Sequence, residues 1–352
     1  LYVDLSKAFD IVNREALWAT LKHRGVDPEL LKRLMSIYDD SSAVVRLGTA
    51  VSAMFSLVSG VRQGCPLSPL LFKIFIDTVV RSFMKRFPDA GVNTAYRGNG
   101  VLHRPGAAAS PETTLSLLMY ADDIVLLSAS FPTLQSMMSE LHAICSDLAL
   151  TINYRKTQHQ SLGAPAPPAT HPPFTSPTGE TVETVTSFKY LGSMFCTPAA
   201  DRHYMDIEVS RRISSAALTF RNLSARFWQS KHLSPSTKIH IYKACVLSQL
   251  LYAAQTWAIT EAQGQRLEVF HNRCIRRIKG FPLFPPTGQD PVSTSKVHAA
   301  EPVTYPIKWL RQKLNTSFVG HLARRGDFYL PTIALTAHRL PDGPPPPRAN
   351  RS

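Results

Sequence analysis

The sequence predicts an α+β fold, in which an antiparallel sheet packs on helices and a helical region follows along the chain. The sheet is indicated by residues 115–128, LSLLMYADDIVLLS, where two apolar, strand-favouring segments meet at Asp122 and Asp123. The helical region is indicated by a change of spacing after Arg202. Apolar residues recur there at helical intervals: Ile213, Ala217, Phe220, Leu223 and Phe227. At 352 residues and 44% hydrophobic content, the chain is long enough for two or three units with buried cores.

The first strand and the two helices after it follow from local signals. The opening residues, LYVDLSKAFD, predict a short apolar strand that carries Asp4, then a polar turn that ends at Asp10. Asn13 is suited to cap a helix that ends at Gly25. A second helix is predicted with Asp27 as its N-cap, because a proline follows at the first helical position.

A loop entering a helix is predicted at residues 60–72, GVRQGCPLSPLLF. Two glycines flank Gln63 and let the backbone approach a ligand closely, and Ser68 is predicted to cap a long helix running to about Phe87. An exposed glutamine in such a loop suits packing against a nucleotide. Taken alone, however, the loop is better explained as a glycine turn before a helix.

Six further segments complete the first part of the chain. The predictions are a β-hairpin at 42–48 and 53–59, a surface loop at 92–114, an amphipathic helix at 130–149, a short strand at 151–157 (TINYRKT) ending near Lys156, a flexible Pro-rich insertion at 164–178, and a strand and turn at 188–192 (FKYLG). The region after Arg202 predicts a first helix that ends near residue 227. Further helices are predicted at 234–257, at 262–279 before Gly280, and at 307–325. A Pro-interrupted connector is predicted at 281–306, and a disordered tail follows the last helix.

Charge is distributed unevenly along the chain, whose net charge is +14. Residues 1–201 hold 17 basic and 17 acidic residues, whereas residues 202–280 hold 13 and 4, and residues 281–352 hold 9 and 4. The basic surplus of the second half predicts a polyanionic partner such as a nucleic acid, although a solvated basic face accounts for it equally well.

Cysteine usage and hydropathy restrict the class of protein. The five cysteines form no CxxC pair, which argues against a zinc site and a disulfide framework and predicts a reducing compartment. No run of eighteen apolar residues occurs, so no membrane span is predicted. The sequence opens on a predicted strand without an initiator Met or a signal peptide, so we expect a fragment.

The paired acids in the central hairpin predict a metal site. A tight turn would lift Asp122 and Asp123 to the surface of a buried sheet, where two carboxylates need a strong partner such as a metal ion. An ordinary hairpin turn is the alternative, because Asp is common in turns. A similar sequence, Tyr38-Asp39-Asp40, lies at a predicted helix end without apolar flanks and is not expected to form a site.

Taken in order, DLSKAFD, GVRQGCPLSPLLF, YADD, TINYRKT and FKYLG resemble the palm motifs of reverse transcriptases, specifically of LINE-type (non-LTR) retrotransposon polymerases. The resemblance covers roughly residues 1–195, and LLYAAQTW and HNRCIRRIKG are similar to the thumb and downstream region of the same elements. It implies a right-hand polymerase palm followed by an α-helical thumb and a helical C-terminal region. It also implies an RNA-directed DNA polymerase, a nucleotidyltransferase located in the nucleus or the cytoplasm.

The resemblance implies a catalytic centre built on carboxylates. Asp4 and Asp122 would bridge two Mg²⁺ ions, for which Mn²⁺ is a substitute, while Asp123 would ligate one ion or orient the site. The Leu5 backbone carbonyl would be a further ligand. Such paired ions stabilise the attacking and the leaving oxygen when a primer 3′-hydroxyl displaces pyrophosphate from a dNTP. Lys156 would lie near the leaving pyrophosphate, where a cation or general acid is useful.

The resemblance also implies roles in binding nucleotide, primer and template. Phe9 falls where the family places an aromatic that excludes a 2′-hydroxyl, although core packing is its alternative role. Gln63 and Gly64 would pack against the incoming nucleotide, and Arg62 would contact the template. The primer and template would be bound by FKYLG, through Phe188, Tyr190, Leu191 and Gly192, and by a basic helix face carrying Arg273, Arg276, Arg277 and Lys279. Asp10 is expected to make a structural hydrogen bond or cap.

We therefore expect a palm at 1–195, without the fingers that precede it in the family, a thumb at 196–280, and a connector, basic helix and tail at 281–352. The expected partners are an RNA template, a DNA primer and dNTPs. One alternative is an inactive remnant that only binds nucleic acid. An RNA-dependent RNA polymerase is disfavoured by Phe9 and by the YADD context.

Overall fold

The computed structural model of the chain describes residues 1–94, 113–161, 173–197, 205–284 and 290–324. These residues form two compact units, the first ending at Thr186 and the second beginning at Ser187. Each unit has its own continuous hydrophobic core.

The first unit is a sheet with helices. Its elements are β1 (Tyr2–Val3), α1 (Arg14–His23), α2 (Pro28–Tyr38), β2 (Ser42–Ala43), β3 (Arg46–Leu47), β4 (Ala50–Val51), β5 (Phe55–Ser56), α3 (Ser68–Arg86), β6 (Val92–Thr94), β7 (Thr113–Leu115), β8 (Leu117–Tyr120), β9 (Asp123–Leu126), α4 (Phe131–Asp147), β10 (Gln158–His159) and β11 (Glu183–Thr184). The main sheet has the order β11-β10-β1-β9-β8, with antiparallel pairs except for the parallel pair β10–β11.

The first core joins the sheet to its helices. Val3 and Leu126 from the sheet, Phe75 from α3 and Met137 from α4 are all at most 3% exposed and belong to one cluster. Burying side chains of this size contributes about 1.5–3 kcal/mol each relative to leaving them in water. This packing fixes the middle of the sheet in place. Asp4 and Asp123 lie at the ends of β1 and β9.

Local signals place the helix starts, with one exception. The Asn13 side chain accepts a hydrogen bond from the Ala16 amide at 3.0 Å, and Asp27 caps α2, as predicted. Ser68 is not a cap, because it is the first residue of α3 and is buried, with its hydroxyl 3.3 Å from that of Tyr38.

Several strand boundaries differ from the predictions. The hairpin at 42–56 consists of two short ladders, β2–β5 and β3–β4, so its second strand begins at Ala50 and not at Ala53. The expected loop at 92–114 begins and ends in paired strands, β6 and β7. Residues 95–112, within that loop, lie outside the described residues.

The segment at 151–157 is a single bridge followed by a turn, and the strand comes after it as β10. A flexible insertion is predicted at 164–178, and its first part, residues 164–172, lies outside the described residues. Its last part is wrongly predicted, because Phe174 is buried in the first core and Thr175 bridges Thr181.

The second unit is a hairpin with a helical bundle. Its elements are β12 (Ser187–Tyr190), β13 (Ser193–Cys196), α5 (Met205–Asn222), α6 (Pro235–Ile241), α7 (Ser248–Leu250), α8 (Glu261–Lys279), α9 (Thr294–Ala299) and α10 (Ile307–Ala323). Two π-helical segments, Ser224–Trp228 and Tyr242–Leu247, follow α5 and α6. The core includes Val209, Val246 and Leu267, each with 0% exposure.

The helical predictions hold, with two corrections. The helix expected at 234–257 ends at Leu250, and the chain turns at Ala253, whose φ is 60°. The expected connector at 281–306 contains α9. The helix predicted at 262–279 is α8, which starts with a capping box between Thr260 and Gln263 and ends at Gly280. The predicted tail lies outside the described residues. In the part of the chain that is described, no helix combines the length and apolarity needed to cross a membrane.

Candidate active site

The register of two sheet strands brings the predicted acids together. β1 pairs with β9 through Tyr2 and Val125 and through Val3 and Ile124, so the next residues along the two strands are Asp4 and Asp123. β8 and β9 join through Ala121, whose φ is 54°, and Asp122. All three carboxylates therefore lie at one end of the sheet.

Electrostatic repulsion is evident among these acids. Partial burial raises the pKa of Asp123, and the negative charges of Asp122 and Asp4 raise it further. One oxygen of Asp4, Oδ2, is buried and makes no hydrogen bond within the described residues. The Lys156 Nζ lies 3.7 Å from that oxygen, and the lysine side chain is 69% exposed. This lysine therefore offsets the negative charge only in part.

The donor set suits a hard divalent cation. Three carboxylates supply the oxygen ligands that Mg²⁺ prefers, and a cation would relieve the repulsion acting on Asp123 and pair with Asp4 Oδ2. Among the described residues, no three His, Cys, Asp or Glu side chains converge closely enough to define a metal centre. The fit therefore rests on the ligand chemistry of the three carboxylates and on their positions at the ends of neighbouring strands.

Backbone contacts from residues 151–157 hold the end of β1. The Asn153 amide donates to the Asp4 carbonyl at 2.8 Å, and the Ser6 amide donates to the Thr151 carbonyl at 2.8 Å. These two bonds flank the bridge between Leu5 and Ile152. Successive residues of a strand point their backbone N–H and C=O groups to opposite sides. Since Asp4 and Ser6 bond toward residues 151–153, the Leu5 carbonyl faces the other way, on the side of β9. The segment thus has a structural role that its sequence did not reveal.

The loop that carries Gln63 is bonded to the turn after β1. The Gln63 Nε2 donates to Asp10 Oδ1 at 2.9 Å, so Asp10 makes the structural hydrogen bond expected of it. The Val61 amide donates to the Phe9 carbonyl at 2.9 Å, and the Phe9 ring stacks on Phe72 with centroids 4.2 Å apart. Phe9 is half-buried by this packing. The first strand, the loop and α3 are therefore joined at the site.

Arg14 organises the base of the neighbouring hairpin and was missed by sequence reasoning. Its guanidinium donates to four backbone carbonyls at 2.8–3.2 Å: those of Tyr38, Leu57, Ser59 and Gly60. Arg62 lies close by, donating to the Ser41 hydroxyl at 3.0 Å and resting over the Tyr38 ring. An arginine in the first turn of a helix carries no sequence signal for such a role.

The FKYLG segment belongs to the second unit, where it forms β12 and the turn to β13. Leu191 and Gly192 occupy the turn with φ of 46° and 81°, and their carbonyls are bonded to side chains from the turn after α7 and from α5. The Tyr252 hydroxyl donates to the Leu191 carbonyl at 3.0 Å, while Arg211 and Arg212 donate to the Gly192 carbonyl at 2.6 and 2.5 Å.

A buried carboxylate supports this turn. Glu208 accepts hydrogen bonds from both arginines and, at 3.1 Å, from the Met194 amide. Its side chain is 2% exposed, and that of Arg212 is 9% exposed. Sequence reasoning missed Glu208, Arg212 and Tyr252; the only available signal was an acid three and four residues before two arginines on a predicted helix.

The basic face expected on α8 divides into two pairs. Arg273 and Arg277 are exposed. Arg276 is buried and donates to the Val292 carbonyl at 2.6 Å, and the Lys279 Nζ donates to three oxygens, those of Val297, Ala300 and Thr304, at 2.8–3.2 Å. The expectation of a shared nucleic-acid face is therefore wrong for Arg276 and Lys279, because they anchor the chain that follows α8.

The family of this chain follows from comparison with known proteins. Residues 1–195 match the family described as reverse transcriptase (RNA-dependent DNA polymerase), and the chain belongs to this family. Enzymes of this family are RNA-directed DNA polymerases that bind an RNA template and a primer, and they generally use divalent metal ions.

Relatives identify the branch of the family. The chain is 25% identical, over 78% of its length, to the "Retrovirus-related Pol polyprotein from type-1 retrotransposable element R2" of Popillia japonica. In Drosophila melanogaster it is 25% identical over 81% of its length to the "Probable RNA-directed DNA polymerase from transposon BS" and 24% identical over 80% to the "RNA-directed DNA polymerase from mobile element jockey". It spans 41%, 29% and 28% of these three relatives. The predicted resemblance to non-LTR retrotransposon reverse transcriptases is confirmed.

Proposed function

We propose that this chain carries the polymerase centre of a non-LTR retrotransposon reverse transcriptase and transfers nucleotides from dNTPs to a primer 3′-hydroxyl on an RNA template. The observation that carries the proposal is the placement of Asp4 beside Asp123, with Asp122 in the adjoining turn. Burial and the charges of Asp122 and Asp4 raise the pKa of Asp123, and the buried Asp4 Oδ2 has no hydrogen-bond donor within the described residues, with only the exposed Lys156 Nζ 3.7 Å away. This arrangement suits cation binding better than an ordinary turn.

Asp4, Asp122 and Asp123, with the Leu5 carbonyl, would hold two Mg²⁺ ions, and Mn²⁺ has the same ligand preference. When bound, such ions stabilise the attacking and leaving oxygens of the displacement. The role of this chain is to hold its three carboxylates adjacent to one another. The antiparallel register of β1 and β9 and the backbone bonds of residues 151–157 provide this arrangement.

The loop at Gln63 would bind the incoming nucleotide. Gln63 is exposed and hydrogen-bonded to Asp10, Gly64 has a positive φ of 83°, and Phe9 lies in the segment to which the loop is bonded. The stacking of Phe9 on Phe72 would give a rigid aromatic edge against a sugar 2′-hydroxyl. Arg62, next in the loop, would contact the template.

Lys156 would act on the leaving side of the reaction. Its Nζ lies 3.7 Å from Asp4 and its side chain is largely exposed, so it can move from that carboxylate to a phosphate. A cation or general acid at that point stabilises the departing pyrophosphate.

The second unit would contact the nucleic acid. We propose that the first unit is the palm and the second is the thumb with its helical extension. Phe188, Tyr190, Leu191 and Gly192 would form the primer grip, and the exposed Arg273 and Arg277 would contact phosphates. Such contacts are independent of sequence and weaken as salt rises.

Primer extension by the purified chain tests the proposal. An RNA template with an annealed DNA primer, dNTPs and Mg²⁺ should yield extended primer, and Asp122→Ala should abolish the product. Asp39→Ala is the matched control, because Asp39 belongs to a second Tyr-Asp-Asp sequence at the end of α2 and should leave extension unchanged.

Three outcomes contradict the proposal in different ways. Undiminished extension by Asp122→Ala would exclude the carboxylate centre. Salt-sensitive binding of primer and template without extension would indicate a protein that only binds nucleic acid. Extension with rNTPs in preference to dNTPs would indicate an RNA polymerase and remove the role given to Phe9.

A further inference from the structure

A cleft of about 300 Å³ lies within the second unit, separate from the residues assigned above. Three elements border it: α6 with its π-helical extension, α8 and the start of α10. Its floor is apolar and includes Ile239, Ile275 and Leu310. A cavity of this volume is at the lower end of the range for small-ligand sites.

Two stacked aromatic rings form part of the cleft. Tyr305 and Trp309 lie with centroids 4.2 Å apart and 20° between their planes. They are 44% and 41% exposed, although both line the cleft. Aromatic rings of this size usually bury more of their surface in a bundle, and a flat stack open to solvent is typical of a stacking platform.

The same cleft is cationic. Lys243 reaches it from the π-helical segment and Lys313 from α10, with the Lys313 Nζ 5.3 Å from the Trp309 ring centroid. No aspartate or glutamate occurs among the described residues that line it. The Glu268 carboxylate already accepts a hydrogen bond, at 2.8 Å, from the Ile307 amide at the start of α10.

The aromatic stack is held in place from behind. The Tyr305 carbonyl accepts a hydrogen bond from the His271 Nε2 at 3.1 Å, and the His271 Nδ1 lies 2.7 Å from the Tyr242 hydroxyl. Both His271 and Tyr242 are buried. The backbone of Tyr305, beside which the rings stack, is therefore anchored before any ligand arrives, which lowers the entropy cost of binding.

We propose that this cleft binds one unpaired base of a single-stranded nucleic acid, with its flanking phosphates held by Lys243 and Lys313. A flat aromatic group attached to an anion matches the apolar floor, the ring stack and the two lysines together. A duplex does not fit, because its bases are already stacked. The inference rests on the proposed function, to which it adds a site for template or displaced strand beyond the polymerase centre.

Binding of the full chain to fluorescent oligo(dT) of fifteen nucleotides tests the proposal, with an abasic oligomer of the same length as the second probe. Trp309→Ala should weaken oligo(dT) binding about fivefold to tenfold, because stacking on one aromatic contributes on that scale. Trp309→Phe should retain most of the affinity. Binding of the abasic oligomer should be the same for the original chain and for both Trp309 variants.

The lysines are tested by the salt dependence of the same binding. Lys313→Ala should reduce the slope of log affinity against log salt by about 0.7, the value for one single-strand phosphate contact. Phe284→Ala is the matched control, because Phe284 is an exposed aromatic of the same unit that does not line the cleft. It should leave both affinity and slope unchanged.

Two results would overturn the site. Unchanged oligo(dT) affinity in Trp309→Ala would exclude stacking, and an equal loss with the abasic oligomer would show that no base is bound. Primer extension separates this failure from that of the proposed function. If Asp122→Ala abolishes extension while Trp309→Ala leaves oligo(dT) binding intact, the cleft alone is rejected.

Discussion

Glu208 and Arg212 form a buried ion pair behind the turn of the FKYLG hairpin, with Glu208 Oε1 accepting from Arg212 Nε at 2.6 Å. Arg212 also donates to the Gly192 carbonyl and lies over the Tyr252 ring, 4.6 Å from its centroid. One carboxylate therefore supports two arginines, and both arginines hold the same carbonyl. The conformation of the turn depends on this pair.

Glu208→Gln should destabilise the chain by about 3 kcal/mol, because removing one partner leaves a buried guanidinium without a counter-charge. Urea denaturation measures the change. Arg266→Ala is the matched control, because Arg266 forms an ion pair with Asp206 of α5, the helix that also carries Glu208. The side chains of Arg266 and Asp206 are 43% and 35% exposed, so loss of this pair should cost less than about 1 kcal/mol. Similar losses in the two variants would contradict the structural role of Glu208.

If the hairpin grips the primer, Glu208→Gln should also raise the KM for primer and template more than that for dNTP.

Gly60→Ala should be far more destabilising than Gly48→Ala. Both glycines have positive φ, 82° and 62°, but an added Cβ at Gly60 would lie 2.5 Å from the Asp10 carbonyl oxygen, whereas at Gly48 it meets nothing within 4 Å. We expect about 1 kcal/mol for Gly48→Ala from backbone strain alone and at least about 3 kcal/mol for Gly60→Ala. The free energy of unfolding in urea measures both. Equal values would show that the loop moves freely away from the turn after β1.

Acid should destabilise the second unit through His271. Burial, followed by the charge of His298, lowers the pKa of His271 to about 3. A histidine whose native pKa is depressed contributes stability above its ordinary pKa of about 6.5, and this stability is lost as the pH falls toward 3. The loss should be on the order of 4 kcal/mol for this group. Unfolding free energies between pH 7 and pH 4 should show a shallower slope in His271→Gln, and an unchanged slope would exclude His271 as the cause.

Asp122→Asn should lower the pKa of Asp123 by removing a neighbouring charge. The native Asp123 pKa is raised, so its contribution to stability is present at low pH and is lost as the pH rises through that pKa. Side-chain carboxyl NMR titration measures the shift, with Asp39→Asn as a control that should change nothing. Mg²⁺ should also lower the Asp123 pKa in the original chain, because a cation favours the ionised form. Insensitivity of this pKa to Mg²⁺ would count against metal binding at the site.

Most of the site follows from the sequence because its signals are local. Two acids between apolar strands predict a hairpin that presents them, and Asn13 and Asp27 cap their helices as their side-chain chemistry requires. The pairing of Asp4 with Asp123 is non-local, and only the order of motifs shared with a known family indicated it.

Other features depend on contacts that local patterns do not contain. The TINYRKT segment alternates like a strand, yet only Ile152 pairs there, because the chain turns directly after Asn153, whose carbonyl accepts from the Lys156 and Thr157 amides. Phe174 sits in a Pro-rich stretch, but its ring packs in the first core against Phe131 and His159. Arg276 looks like a surface charge on a basic helix, and only the following chain buries it.

The contacts of Arg14 constrain Arg14 itself more than the residues that it contacts. Its four contacts in the hairpin and the helix before it are to backbone carbonyls, which every amino acid carries. The residues at 57 and 59 can therefore change without loss of these hydrogen bonds, whereas Tyr38 also places its ring 5.1 Å from the guanidinium and Gly60 is required by its close approach to Asp10. Arg14 itself cannot be replaced by lysine with the same result, since only a planar guanidinium reaches several acceptors from one position. Among related elements, the hairpin sequence should diverge while the arginine that closes it is retained.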